Sequence, residues 1–79
     1  MTNREKYDEA FIQCFKVDTA ALNAEFTIKN VIEWDSMGQL QLIAALEETF
    51  GIFFSSDDIL ELYSYDNGKE ILKKYGVEV

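Results

Sequence analysis

The stretch from Asp35 to Gly51, DSMGQLQLIAALEETFG, has helical spacing and both of its ends marked. Asp35 or Ser36 can cap the start, because a short side-chain oxygen accepts from amides that the first turn of a helix leaves unpaired. Gly51 suits the left-handed position that closes the other end. The spacing predicts a helix to about Phe50, and every other element must pack around it. On a wheel of about 100° per residue with Ser36 at zero, Leu42, Leu46, Phe50 and Ile43 fall between roughly 240° and 340°, a core face. Met37, Leu40 and Ala44 form a second arc at about 40° to 100°, bordered by Glu47 and Glu48. One helix in a small domain does not readily bury two opposed faces. The second stripe is therefore expected to be partly exposed, as a docking surface. The competing reading packs Met37 and Leu40 beneath the segment that precedes the helix.

Thr2 and Glu5 have capping-box spacing, and Tyr7, Phe11, Cys14 and Phe15 recur at helical intervals, which predicts a first helix over Asn3 to Phe15. From Lys16 to Trp34 the period is lost. Val17, Leu22, Phe26, Ile28, Val31 and Ile32 read as irregular anchors of a long loop, with a helical turn near DTAALN. Ser55 or Ser56 can cap a short helix over DDILEL. Ser64 or Asp66 can cap a fourth, with Ile71, Leu72 and Tyr75 inward and Gly76 as its stop. Apart from an ambiguity at GIFFSS no strand alternation is visible. The expected class is all-α, a small bundle of three main helices plus one short one.

With 79 residues the chain is expected to be one domain, and 48% hydrophobic with 14% aromatic residues is enough apolar material for an ordered core. The single Cys14 excludes an internal disulfide and reads as a packed thiol. A single cysteine fits a reducing cytoplasm, no signal-peptide pattern or membrane-length apolar run is visible, and the small surplus of surface apolar residues makes a monomer the expectation. The net charge of −8 is unevenly placed. Between Asn30 and Gly68 there is no Lys or Arg, yet Glu33, Asp35, Glu47, Glu48, Asp57, Asp58, Glu61 and Asp66 all fall there. Such a block repels nucleic acid and attracts basic protein surfaces. It also serves simply to keep a small domain in solution.

Serine chemistry needs an adjacent base, and this chain has no histidine and no lysine three residues after Ser36. Glu47 and Glu48 are helix neighbours that diverge, so they read as a solvated face and not as an acid pair. A calcium loop around Gly68 fails, since Tyr63, Tyr65 and Lys74 would occupy ligand positions. No cluster has metal-ligand spacing, and no glycine-rich turn is placed to hold a phosphate. The residues point away from an enzyme.

DSM opening a helix, followed by LQLIAALEETFGI, a short acidic helix and a closing amphipathic one, resembles the acyl carrier proteins and related carrier domains. The likeness covers nearly the whole chain and is strongest from Trp34 to Phe50. It implies that Ser36 bears a covalent 4′-phosphopantetheine arm taken from coenzyme A, with Asp35 as its motif partner. The arm's thiol would carry acyl groups as thioesters. Met37, Leu40, Ala44, Glu47 and Glu48 match positions where such carriers meet basic patches on a phosphopantetheinyl transferase, a loading ligase or synthase, and acyltransferases. Phe50, Phe54, Ile59, Leu62 and Ile71 match the acyl-accepting interior, where Phe53 and Phe54 would add bulk. Gln41 in place of a common acid and Ser55 in place of a common proline favour a specialised biosynthetic pathway over housekeeping fatty-acid synthesis. DSMG is also similar to the motif of D-alanyl carrier proteins. From a different class, the residues are compatible with an unmodified acidic adaptor in which Asp35-Ser36 is only a helix cap.

Overall fold

The computed structural model describes all residues from Met1 to Val79 and contains four helices and no strand: α1 (Asn3–Phe15), α2 (Ser36–Phe50), α3 (Ser56–Glu61) and α4 (Tyr65–Lys73). The chain is a small helical bundle, three longer helices and one short. A short 3-10 turn over Thr19–Ala21, capped by Asp18, interrupts the connection between α1 and α2. Each helix begins where a side-chain oxygen is available to its first turn. Thr2 and Glu5 form a reciprocal capping box on α1, and Ser64 and Asn67 form one on α4. Asp35 caps α2 and Ser55 caps α3. Gly51 ends α2 with φ of 66°, a conformation that costs a residue with a Cβ. α4 stops at Lys73, short of Gly76. Lys74, Tyr75 and Gly76 continue the chain with tighter amide-to-carbonyl bonds to Ile71, Leu72 and Lys73.

α1 packs on α2 through a stripe spaced at one residue per turn, Tyr7, Phe11 and Phe15. Phe26 and Trp34 come from the long connection and close against it. Phe11 lies 5.7 Å from the Phe26 ring, 5.6 Å from Trp34 and 5.4 Å from Tyr65, all edge-on. Edge-to-face rings gain energy beyond the area they bury, so this cluster fastens an irregular segment that no ladder of backbone bonds would hold. Ala10 of α1, Leu42, Ile43 and Leu46 of α2, Ile71 and Leu72 of α4, and Phe54, Leu62 and Val77 from outside the helices complete the core. One isolated antiparallel bridge joins Thr27 to Ser64. The Ile28 amide donates to the Tyr63 carbonyl and the Tyr65 amide to the Phe26 carbonyl, both at 2.9 Å.

Several expectations need correction. Of the expected anchors Phe26 is buried and Val17, Leu22 and Val31 pack partly buried against the core, while the Ile28 and Ile32 side chains are exposed, Ile32 at 92%, and Trp34 adds a further buried attachment. GIFFSS forms no strand: Gly51 closes α2, Ser56 opens α3, and between them Phe54 is buried and Phe53 is 86% exposed, so Phe53 adds no bulk to the interior. Successive residues of a chain running without helical turn point to different sides, and only one of this pair faces the core. No helix is long and apolar enough to cross a membrane.

Candidate functional site

Ser36 is the first residue of α2 and is exposed. The cap itself is Asp35, whose Oδ1 accepts from the Gly38 amide at 2.9 Å while its carbonyl accepts from the Gln39 amide at 2.8 Å. The Ser36 hydroxyl therefore has no structural task, and it sits among first-turn amides at the positive end of the helix dipole. Buried Gly38 fixes how the preceding segment arrives. A Cβ there would stand 2.5 Å from the Glu33 carbonyl oxygen and 3.1 Å from the Phe15 ring, so the backbone before Ser36 lies directly on the first turn of α2. Trp34, 2% exposed, anchors the same segment from the other side.

Beside Ser36 runs an open groove of about 590 Å³ between the start of α2 and the end of α3. Ile28, Leu40, Ile59, Leu60 and Leu62 supply most of its apolar lining, with Leu40 and Leu60 largely exposed and Leu62 buried. Gln39 crosses it. Its Oε1 accepts from Trp34 Nε1 at 2.6 Å, and its Nε2 donates to the carbonyls of Ile59 at 2.8 Å and Leu62 at 3.1 Å. The sequence reading passed over Gln39, although its wheel position of about 300° puts a polar residue inside the core arc of α2. A polar side chain there is tolerated only with its bonds made, and this one has them.

The residues singled out for docking do not share one environment. Met37 and Leu40 are 67% and 65% exposed, so the reading that packed them beneath the connecting segment is overturned. Ala44 and Glu48 are exposed on the same side. Glu47 is half-buried, and its Oε2 accepts from the Phe54 amide at 3.0 Å, so it is not the freely solvated acid expected beside Glu48. Among the residues matched to an acyl-accepting interior, Ile59 and Leu62 reach the groove, Phe54 and Ile71 are buried, and Phe50 is half-buried.

The acidic span is also less uniform than its sequence. Asp58 is buried and bonded to Lys74 Nζ at 2.6 Å and to the Tyr75 hydroxyl at 2.5 Å, with the Ser55 cap beside it. The Lys74 ammonium, then the Tyr75 hydroxyl, hold its carboxyl below the ordinary range. Asp66 pairs with Lys69 at 3.7 Å. Glu33, Glu48, Asp57 and Glu61 remain exposed and unpaired. Far from Ser36, Tyr65 donates to Asp8 and accepts from Arg4 Nε at 3.0 Å, and burial together with the Asp8 bond pushes its phenol up to about 12. Burial pushes the Cys14 thiol up as well, which keeps it protonated and poorly nucleophilic at neutral pH. No three His, Cys, Asp or Glu side chains converge as metal ligands. No protein-family model, no curated protein and no solved structure matches the chain.

Proposed function

We propose that this chain is a carrier protein of the acyl carrier type, a substrate of its partner enzymes, with a 4′-phosphopantetheine arm joined through a phosphodiester to Ser36 Oγ. The observation that carries the reading is an exposed serine hydroxyl, free of any internal bond, at the start of α2 and opening onto an apolar groove. If the serine existed only to cap the helix, its oxygen would be bonded to a first-turn amide, and Asp35 does that work instead.

The residues present fit the group. First-turn amides and the helix dipole favour a phosphodiester at this point. Leu40, Ile59 and Leu62 offer an apolar surface to whatever the arm carries. When bound, the arm supplies a terminal thiol on which acyl groups travel as thioesters. The chain's own part is to hold Ser36 in reach, to orient the arm along the groove and to meet its partners. Met37, Leu40, Ala44 and Glu48 form the contact surface of α2, with Glu33, Asp57 and Glu61 adding negative charge beside it. A basic enzyme surface fits that combination, bound loosely enough to be released after each transfer.

The test is a mass measurement. Unmodified protein incubated with coenzyme A and a broad-specificity phosphopantetheinyl transferase is expected to gain one phosphopantetheine, and Ser36→Ala none. No gain on the wild type, or an equal gain on Ser36→Ala, overturns the proposal and leaves the acidic adaptor. Native mass analysis of protein from its source then distinguishes acyl from aminoacyl cargo.

A further inference from the structure

α3 has only six residues, too few to hold a helical conformation unaided. Its two ends are fastened from outside by different side chains. At the start, Asp58 binds Lys74 and Tyr75, which tie it to the C-terminal segment. At the end, the carbonyls of Ile59 and Leu62 would be left without helical partners, and Leu62 leaves the helix in an extended conformation. Both carbonyls are taken by the Nε2 of Gln39. Gln39 lies one turn beyond Ser36 on α2 and lines the same groove, so its two bonds tie the start of α2 to the end of α3 beside the serine. The same amide holds Trp34 through its oxygen, which uses both of its donor hydrogens and its acceptor.

We propose that Gln39 is a specificity-determining latch: by holding the end of α3 to the start of α2, it sets how far the groove beside Ser36 opens and therefore how long an apolar cargo it admits. The cargo clause rests on the carrier reading; the latch does not. Opening the groove past Gln39 strands the Ile59 and Leu62 carbonyls, so short groups lie on the surface of the groove without disturbing it while long chains must compete with two hydrogen bonds.

The latch is tested on the unmodified protein by residue-resolved amide hydrogen exchange, comparing wild type, Gln39→Met, Gln39→Glu and, as a control on the exposed side of the same helix, Gln41→Met. Gln39→Met removes all three bonds, whereas Gln39→Glu keeps an acceptor for Trp34 and removes both donors. Both are expected to speed exchange of the α3 amides by about tenfold or more, while α1 and α4 amides and the Gln41→Met protein stay at wild-type rates. The fluorescence of Trp34 is expected to shift in Gln39→Met alone. Unchanged α3 exchange, or an equal rise in all four helices, overturns the latch. For the cargo clause, wild type and Gln39→Met are loaded with acetyl and octanoyl arms from the corresponding acyl-coenzyme A. The octanoyl thioester is expected to hydrolyse several-fold more slowly on the variant, with the acetyl thioester unaffected. Equal octanoyl rates overturn that clause. A protein that accepts no arm overturns the carrier reading, and the exchange measurement still decides the latch.

Discussion

Asp35 and Ser36 are adjacent and both able to cap a helix, yet only the aspartate does so, and this division sets what each substitution will cost. Ser36→Ala removes no internal bond, so its unfolding free energy is expected to stay within about 0.5 kcal/mol of wild type, while modification is lost. Asp35→Ala removes the bond to the Gly38 amide and is expected to cost about 1 kcal/mol. Gly38→Ala is the most damaging small change near the site. Its methyl would press on the Glu33 carbonyl and the Phe15 ring, and overpacking of this kind costs about 1 to 3 kcal/mol. Urea unfolding of the three variants places them in that order. The reverse order for Asp35 and Ser36 would return the capping role to the serine.

Among the elements, α3 depends most on side chains from elsewhere, and its first turn depends on pH. The Asp58 carboxyl is held below its ordinary value of 3.8 by Lys74 and Tyr75. A depressed carboxyl contributes stability that is fully present above its unfolded value and is lost as pH falls through its folded value. Lys74 has the opposite sign: its pKa is raised, chiefly by the bond to Asp58, so its share is present below the ordinary lysine value of 10.5 and fades at higher pH. The melting temperature of wild type is expected to fall as pH drops below the ordinary carboxylate range and Asp58 takes up its proton. In Asp58→Asn that acid-side slope is expected to flatten. An unchanged slope would assign the acid sensitivity to other carboxylates.

Across the whole molecule, rings from α1, the connecting segment and α4 meet at Phe11, which is fully buried. Phe11→Ala is expected to cost about 3 to 5 kcal/mol, a large share of the stability of a domain this small, and to release the Lys16 to Trp34 segment along with it. Loss of near-ultraviolet dichroism, with faster proteolysis inside that segment, is the readout. The charge of the molecule acts at the same scale. Lys74 and Lys69 reach back onto Asp58 and Asp66, which leaves Glu33, Glu48, Asp57 and Glu61 as the exposed, unpaired acids of the Asn30 to Gly68 span. Binding of a basic partner is expected to weaken as salt rises from about 0.05 to 0.5 M. Leu40→Ser is expected to weaken binding at every salt concentration, because an apolar contact is not screened.

The sequence by itself determined the helices and narrowed their starts to one or two candidate caps each, although it set the stop of α4 at Gly76 where the helix ends at Lys73. A cap is a local event, and Thr2, Asp35, Ser55 and Ser64 each bond to an amide three residues on, within reach of any pattern of adjacent residues. The two-faced character of α2 was legible for the same reason, since helical period alone sorts Leu42 and Leu46 from Met37 and Leu40. Tertiary structure decided what depends on residues far apart in the chain. Asp58 looked like one more solvated acid until α4 brought Lys74 and Tyr75 to it. Glu47 looked like a partner of Glu48 until the chain after Gly51 turned back and set the Phe54 amide against it. Gln39 lay unnoticed on a core face, since its meaning rests on two carbonyls twenty or more residues away. Spacing along one helix tells which side a residue faces, and only the packing of the other helices tells what it meets there.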